Sequence, residues 1–180
     1  MNRVAFQGEP GAFSEEAAFA LCGSACNVVP CRTFQSVIDA VQRGTADGGV
    51  LPVENSSIGD IHSSLEVLRV ASLKVDREIS LPIHHCLMGM PDSEISLVER
   101  VISHPAAIAQ CQDFLAAHPE IIVEPWYDTA GAAREVAVRK DKGLAAIAAK
   151  RAATRYRLTI IRENIEDRAD NTTRFVLVTR

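Results

Sequence analysis

A threonine and an arginine stand side by side where a polar segment meets the last apolar run of the chain, in Asn171-Thr172-Thr173-Arg174-Phe175. The hydroxyl of Thr173 can donate a hydrogen bond, and the guanidinium of Arg174 is a permanent charge whose fork matches a carboxylate. The pair therefore suits an anionic ligand at the entrance of a strand. Taken alone, such a pair is more often an edge threonine beside a solvated charge.

A second polar segment, Glu54-Asn55-Ser56-Ser57, follows the apolar run 48–53 and precedes a helical pattern. In open α/β sheets, ligands lie at the carboxyl ends of strands, so this position suits a binding site. Asn55 and the two serines offer short hydrogen-bonding side chains, whereas Glu54 is either a first-turn acid or a structural acceptor. Helix capping alone needs only one such residue, so the segment predicts ligand contacts.

Two further loops directly precede predicted helices. In Gly8-Glu9-Pro10-Gly11-Ala12-Phe13-Ser14, the last residue suits a helix N-cap. Gly11 serves either a turn that needs a positive φ or a close approach of the backbone to an anion. In the segment that begins Asp128-Thr129, either residue caps the helix, and the hydroxyl of Thr129 is left for a ligand if the aspartate is the cap.

Histidines and a cysteine also stand where they could take part in chemistry. His104 precedes Pro105 at a predicted strand end, where it is either a general acid or a turn residue that donates a hydrogen bond to the backbone. His84, His85 and Cys86 are consecutive. Because neighbours on a strand point to opposite faces, only His84 and Cys86 share a side, and no third ligand follows at a useful spacing. We therefore predict no metal site.

Composition predicts an ordinary globular protein whose main partner is neither nucleic acid nor a membrane. The 180 residues are 47% hydrophobic and 23% charged, with a formal net charge of -4, whereas both of those partners reward a basic surface. The chain shows no secretory signal pattern and no apolar stretch that spans a bilayer. Five cysteines without a C-x-x-C pair predict reduced thiols in a cytoplasmic protein.

Short β-like runs alternate with helical patterns, which is the rhythm of βαβ units with a parallel sheet. The predicted strands are 4–7, 27–30, 48–53, 100–103, 121–124, 144–148 and 158–161, and the predicted helices are 14–21, 33–43, 61–70, 105–117, 129–140 and 150–156. We predict an α/β fold of two small lobes with a cleft between them. Lobe 1 spans about 1–76 plus 165–180, and lobe 2 spans about 77–164.

Taken in order, these segments resemble the catalytic region of the prephenate dehydratase family, which includes arogenate dehydratases. The resemblance covers essentially the whole chain and rests on Gly8–Ser14, Leu51–Ser56, Ser103-His104-Pro105, Ala109-Gln110-Cys111, Asp128–Ala133, Ala145–Ala148 and Asn171–Phe175. Each motif is common by itself, but the ordered set is specific.

The resemblance implies a decarboxylative dehydration without cofactor or metal. Prephenate loses carbon dioxide and water and becomes phenylpyruvate, on the route to L-phenylalanine. Thr173 is then the catalytic group at the departing hydroxyl, acting by hydrogen bonding, and Arg174 anchors a carboxylate. The implied substrate-binding residues are Glu54, Asn55, Ser56, Ser57, Thr129, Ala130 and Phe175. Alternatively, Glu54 is an acceptor that holds the donors in place.

The family also implies a fold like that of the type 2 periplasmic binding proteins, a small dicarboxylate substrate and a homodimer. The chain departs from the family pattern at Ala106, usually Gln, at Ala149, usually Ser, and at Arg157, often Gly. The hydroxyl missing at Ala149 removes either a helix cap or a ligand contact. We expect no phenylalanine-binding ACT domain in this chain. Two alternatives stay open: arogenate as the substrate, which gives L-phenylalanine directly, and a non-catalytic module that binds an aromatic acid.

Overall fold

The chain forms two mixed sheets, each packed against helices, and the computed structural model describes residues 1–180. The first compact unit contains residues 1–9, 13–83 and 170–180, and the second contains residues 10–12 and 84–169. The main boundaries thus lie at 83/84 and 169/170, not near 76 and 164 as expected. The reason is strand pairing, because the strand Lys74–Pro82 pairs from end to end with the terminal strand of the first unit.

The elements are as follows in chain order. The first unit contains β1 (Arg3–Gln7), α1 (Phe13–Cys22), β2 (Asn27–Cys31), α2 (Phe34–Gln42), β3 (Gly48–Asn55), β4 (Gly59–Asp60), α3 (His62–Val70) and β5 (Lys74–Pro82). The second contains β6 (His85–Gly89), a 3-10 turn (Ile95–Leu97), β7 (Arg100–Ser103), α4 (Pro105–Ala109), α5 (Gln112–Ala116), β8 (Ile122–Pro125), α6 (Thr129–Arg139), β9 (Leu144–Ala149), α7 (Lys150–Tyr156) and β10 (Thr159–Arg162). The last strand, β11 (Thr172–Thr179), returns to the first unit. None of the helices combines the length and the apolar character that a bilayer crossing requires.

The first sheet has the strand order β2-β1-β3-β11-β5, with β4 beside β3. β1 is parallel to both β2 and β3, as the βαβ pattern predicts. β11 runs antiparallel to β3 and to β5. The prediction of a parallel sheet is therefore wrong for this strand, because β11 enters the sheet beside the end at which β3 leaves it.

One extra residue in β3 decides which side chains meet at this end of the sheet. Phe175 lies opposite Pro52, but Thr173 lies opposite Asn55, so Val53 is an additional residue in β3. Bulges of this kind are frequent next to functional sites. Beyond the bulge, Thr173 and Asn55 are directly opposite each other and share a face of the sheet.

The apolar side chains of β11 point alternately to the two faces of the first sheet and so cover both of them. Phe175 and Leu177 join the hydrophobic cluster that contains residues of α1. Val176 and Val178 join the cluster that contains residues of α2 and α3. The sheet therefore lies between helices on both sides, which is the layering that the sequence pattern predicts.

The second sheet is centred on β9 and has the order β10-β6-β9-β7-β8. β7 is parallel to β8 and β9, whereas β6 is antiparallel to β9 and β10. All six residues of β9 are buried, and α6 contributes Ala130, Ala132 and Ala133 with no exposed surface. The helix and the strand meet mainly through alanines, because small side chains allow a close approach.

One predicted helix is two helices in the structure. Residues 105–117 form α4 and α5, which are separated at Gln110-Cys111. The carboxylate of Asp167 accepts hydrogen bonds from the amides of Gln112 and Asp113, at 3.0 and 2.9 Å. A distant aspartate thus caps α5 in place of a residue next to it in sequence, and the local pattern could not reveal that partner.

The local conformations at α7 explain two of the three departures from the family pattern. Ala149 is the N-cap of α7 and offers no side-chain oxygen, so the hydroxyl absent here is a missing helix cap. Arg157 follows the same helix with a φ of 57°, in the left-handed conformation that favours glycine. The third departure, Ala106, lies in the first turn of α4, where its amide donates to His104 Nδ1.

Candidate active site

The hydroxyl of Thr173 lies in a buried polar network at the junction of β3 and β11. Thr173 is 6% exposed and Asn55 is 4% exposed. Asn55 Nδ2 lies 2.8 Å from Thr173 Oγ1, and an amide nitrogen only donates, so the hydroxyl accepts this bond. The hydroxyl donates to no group of the protein. Thr173 therefore keeps one proton for a ligand.

Contacts at both ends fix the orientation of the Asn55 carboxamide. Its Oδ1 accepts hydrogen bonds from the amides of Ser57 and Ile58, at 2.9 and 3.1 Å. Its Nδ2 also donates to Asn171 Oδ1 at 2.9 Å and to Thr172 O at 3.1 Å. Exchanging the oxygen and the nitrogen would place donors against donors, so only one orientation satisfies the network.

The two serines tie the loop after β3 to the start of β11. Ser56 N donates to Thr172 O, and Ser56 Oγ accepts from Thr172 N, both at 2.9 Å. Ser57 Oγ donates to Asn171 Oδ1 at 3.3 Å. Asn171 is 1% exposed, so this acceptor is a buried organiser of the network. The sequence indicated its neighbours instead, because three polar residues separate Asn171 from the apolar run that begins at Phe175.

Arg174 lies on the opposite face of β11 from Thr173, because consecutive strand residues alternate. Its Nε and Nη2 donate to Glu54 Oε2 at 3.2 and 3.1 Å, and Nη1 donates to Glu78 Oε2 at 3.3 Å. The hydrogen bond with Glu54 is the main reason that the pKa of Arg174 is raised, so the fork stays charged. The structure separates two residues that the sequence places in one site, and Glu54 is an acceptor for Arg174.

Phe175 is a core residue. The sequence predicts a substrate contact here, but the side chain is 2% exposed and belongs to the cluster with Val4, Ala17 and Leu177. The ring holds β11 in place next to Thr173, and its contribution to the site is indirect.

The start of α6 offers two backbone amides. Asp128 is the N-cap, since its carboxylate accepts from Gly131 N at 2.7 Å and its carbonyl accepts from Ala132 N at 2.9 Å. Of the two caps that the sequence left open, the aspartate is the one formed. The amides of Thr129 and Ala130 have no acceptor in the protein and lie at the positive end of the helix dipole, which favours an anion. The side chain of Ala130 is fully buried, so only its amide is available.

The histidines of the second unit have structural partners. His104 Nδ1 accepts from Ala106 N at 3.2 Å, so His104 is a turn residue that accepts a hydrogen bond from the backbone and does not donate one as expected. His84 Nδ1 lies 2.7 Å from Glu166 Oε1, and the other oxygen of this buried carboxylate accepts from His85 N at 2.8 Å. Burial lowers the pKa of His85. No three His, Cys, Asp or Glu side chains are grouped as metal ligands.

The turn at Pro10-Gly11 belongs to the second unit. Gly11 has a φ of 99°, and a Cβ there would lie 3.0 Å from Ala152 Cα. Tyr156 Oη donates to Pro10 O at 2.7 Å. Backbone conformation and close packing both call for glycine, which favours the turn interpretation. Ser14 is not the predicted N-cap but a buried residue in the first turn of α1.

A family model described as prephenate dehydratase matches residues 4–180. The chain belongs to this family. Arogenate dehydratase 3, chloroplastic, of Arabidopsis thaliana is 43% identical over 182 residues, which cover 99% of this chain and 42% of that protein. Arogenate dehydratase/prephenate dehydratase 6, chloroplastic, of the same plant is also 43% identical, with 99% and 43% covered. The chain spans about two fifths of the length of these curated relatives.

Solved structures agree with the family and with its fold. The prephenate dehydratase of Arthrobacter aurescens, in complex with L-Phe, has a TM-score of 0.91 at 31% identity, covering 99% of this chain and 60% of that one. The quorum quenching acylase GqqA has a TM-score of 0.86 at 36% identity, covering 99% and 64%. A putative methionine-binding lipoprotein of Bacillus subtilis, 11% identical over 99% of this chain and 83% of its own, shares the fold alone at a TM-score of 0.50. The predicted α/β fold of the binding-protein type is confirmed.

Proposed function

We propose that this family member converts prephenate to phenylpyruvate, carbon dioxide and water. One observation carries the proposal: Asn55 donates to Thr173 Oγ1, so a buried hydroxyl keeps its proton for a substrate. A departing hydroxyl group needs a hydrogen-bond donor where little water competes, and Thr173 meets that requirement.

The reaction places a limited demand on Thr173. The bond between the ring and its carboxylate breaks and releases carbon dioxide, and its electrons enter the ring. The C–O bond to the 4-hydroxyl breaks, and the departing oxygen takes up one proton to leave as water. A threonine hydroxyl is too weak an acid to supply that proton outright. Its role is a hydrogen bond that strengthens as negative charge develops on the leaving oxygen.

The remaining proposed site residues would interact with a substrate in different ways. The amides of Thr129 and Ala130 are donors for a substrate carboxylate at the start of α6. Ser56 and Ser57 hold the loop in place and remain proposed substrate contacts. Arg174 also remains a proposed anchor, but a substrate carboxylate would have to compete with the acidic groups that its fork already binds.

Arogenate is the second candidate substrate. It carries an ammonium group in place of the side-chain keto group of prephenate, and both substrate names occur among the curated relatives. The reacting atoms are the same for both compounds, so the role of Thr173 does not distinguish them. Acyl transfer through Thr173 is not favoured, because a nucleophilic threonine needs a base that accepts its proton and the contact at Thr173 is a donor.

The test is to incubate the purified chain with prephenate and, separately, with arogenate, and to follow phenylpyruvate and L-phenylalanine. We expect product from at least one compound. Thr173→Ser, which keeps the hydroxyl, should retain far more activity than Thr173→Val, which removes it with little change of volume. Saturable binding of prephenate without product from either compound would favour a binding module and overturn the proposal.

We propose in addition that the chain acts as a homodimer in the cytoplasm. The five cysteines are free thiols, which suits a reducing compartment. The curated relatives described above are named as chloroplastic, so the plant proteins give no direct support for this location. Sedimentation velocity of the purified chain tests the dimer, and a single monomer boundary at all concentrations would contradict it.

A further inference from the structure

β5 forms an open edge of the first sheet. It is the last strand in the order β2-β1-β3-β11-β5, so only one of its two sides pairs with a neighbour. Seven of its nine residues are exposed, and the other two, Ile79 and Leu81, are only partly buried. An uncovered edge presents backbone N–H and C=O groups that another strand can bind. The second side of β5 is therefore available for strand pairing.

The pairing with β11 shows which residues of β5 turn their backbone groups to the open side. Ile83 N donates to Asn171 O at 2.8 Å, so these two residues form a hydrogen-bonded pair. In an antiparallel ladder every second residue bonds to the neighbouring strand, and the residues between them face away from it. Counting back from Ile83 along the unbroken register, the residues that face the open side are Pro82, Ser80 and Glu78. Proline has no N–H, so the outward donors are the amides of Ser80 and Glu78.

Two interruptions limit the part of this edge that can pair. Asp76 is an additional residue opposite Leu177-Val178, and this bulge breaks the ladder at one end. Pro82 breaks it at the other end. Bulges and prolines are common features that keep edge strands from pairing with other chains. Here they leave the segment 77–81 open, and the middle residue of that segment is Ile79.

Only one symmetric register suits a second copy of the same strand. Around a two-fold axis, outward residues must lie opposite outward residues. An axis at Glu78 would bring two carboxylates opposite each other, an axis at Ser80 would pair Glu78 with a proline, and an axis nearer either end meets the bulge or the proline. An axis at Ile79 places Ser80 opposite the partner's Glu78, and both have an N–H and a C=O to exchange. We propose that two copies of the chain pair antiparallel through β5, with Ile79 at the two-fold axis.

The side chains of β5 suit this pairing. The strand carries two basic and two acidic residues, so its net charge does not repel a second copy. Ile79 lies opposite the partner's Ile79, and directly opposed apolar side chains stabilise a sheet. The hydroxyl of Ser80 donates to the partner's Glu78, whose carboxylate is an acceptor. The inference rests on the homodimer proposed above and assigns it a surface, next to the strand that carries Thr173.

The first experiment is sedimentation velocity over a range of protein concentrations. We expect a monomer–dimer equilibrium for the wild type. Ser80→Pro removes one outward N–H in each copy and should weaken dimerisation by more than roughly 100-fold. Ser80→Ala is the matched control, because it keeps the N–H and should weaken dimerisation by about fivefold at most. Melting curves check that both variants are folded.

Charged substitutions at the same position test the register. In Ser80→Glu the new carboxylate lies opposite the partner's Glu78, and we expect roughly tenfold weaker dimerisation, since the pair occurs twice in a symmetric dimer. In Ser80→Lys the new ammonium group meets the same carboxylate, and we expect roughly tenfold tighter dimerisation. Changes in the same direction for both variants would overturn the register.

Cross-linking tests the position of the axis. Opposed residues of a non-hydrogen-bonded pair have Cα atoms about 4.5 Å apart, which a disulfide can span. With oxidised glutathione, Ile79→Cys should therefore give a covalent dimer on a non-reducing gel. Leu81→Cys is the matched control, because this residue is also partly buried on the same face. It should not cross-link, since its counterpart lies about 14 Å away, four residues along the strand.

The outcomes separate this inference from the proposals on which it rests. Unchanged dimerisation in Ser80→Pro, or equal cross-linking of the two cysteine variants, would overturn pairing through β5 and leave the proposed homodimer intact. A wild type that stays monomeric at every concentration would overturn both. The proposed dehydratase reaction is independent of all these results, because none of the measurements depends on substrate turnover.

Discussion

The Asn55 network of the first unit and the start of α6 in the second unit are built in different ways. In the first unit, side chains from distant parts of the sequence bond to each other, as Asn55 does to Asn171 and Thr173 across 116 and 118 residues. In the second, Asp128 bonds to the backbone of Gly131, only three residues away. A local cap needs only its own helix, whereas the Asn55 network exists only when two strands pair in the correct register. Substitutions should therefore affect the two regions to different degrees.

The largest difference should appear in catalysis by Thr173→Val and Thr129→Val. Removing the Thr173 hydroxyl deletes the proposed donor to the leaving group, and we expect kcat to fall by roughly 10²- to 10⁴-fold. Removing the Thr129 hydroxyl leaves its amide in place, and we expect less than about a tenfold change. Steady-state kinetics with the preferred substrate measure both, and melting curves check that the folds are intact. Equal losses in both variants would mean that the two regions contribute alike.

Exchanging amide and carboxylate in the two regions gives the next largest difference. Asn55→Asp loses its donor and turns a carboxylate towards three acceptors, so the free energy of unfolding should fall by about 3 kcal/mol. Asp128→Asn keeps an oxygen that accepts from Gly131 N, so it should change stability by less than about 1 kcal/mol. Urea denaturation of both variants provides the measurement. Similar midpoints would contradict the long-range character of the Asn55 network.

The stability of the second unit should also depend on pH through His85 in β6. Burial lowers the pKa of His85, whose Nε2 lies 2.9 Å from Gln110 Oε1, so the unfolded chain binds a proton at this position more readily than the folded one. This contribution to stability is complete above the unfolded pKa of about 6.5 and is lost as the pH falls below it. Comparing melting temperatures of wild type and His85→Asn between pH 8 and pH 5 should show a smaller acid loss in the variant. Parallel curves would rule out His85 as the source.

Restoring the family residues at α7 should stabilise the second unit slightly. Ala149→Ser supplies the missing N-cap and should add about 0.5–1 kcal/mol. Arg157→Gly relieves a left-handed non-glycine residue and should add up to about 1 kcal/mol. Thermal melts of each single variant and of the pair test both. A lower melting temperature in Ala149→Ser would show that the hydroxyl does not find the helix amides.

The smallest effect on stability should come from Arg174→Gln. Its partners, Glu54 and Glu78, are more than half exposed, and exposed ion pairs contribute about 0–1 kcal/mol. The kinetics of this variant decide its second role. A KM that rises more than about tenfold would support Arg174 as a substrate anchor, whereas an unchanged KM would assign it to the surface of the sheet.

Local signals predicted much of the fold from the sequence. The helix 150–156 and the strand 100–103 have the predicted bounds, because apolar periodicity and turn residues specify them locally. The failures have partners far away in sequence. The break at Gln110-Cys111 depends on Asp167, and the antiparallel direction of β11 depends on where the chain returns to the first sheet.

The candidate site likewise has features that the local sequence predicts and features that depend on distant partners. The motif containing Thr173 and Asn55 was visible in the sequence, since polar residues at strand ends are a local pattern. That these two residues bond to each other, while Arg174 faces the other side, depends on strand register and could not be read from spacing along the chain. The central role of Asn171 was missed for the same reason.

The bulge at Val53 sets the direction of a hydrogen bond. A regular ladder continued from Phe175 and Pro52 would place Thr173 opposite Glu54, whose carboxylate only accepts, and the hydroxyl would give its one proton to the protein. The additional residue brings the Asn55 amide into that place, and the proton stays available. A relative with the same motifs but one residue fewer in this strand would keep every named side chain and lose the donor. In this strand the number of residues matters to the chemistry as much as their identity.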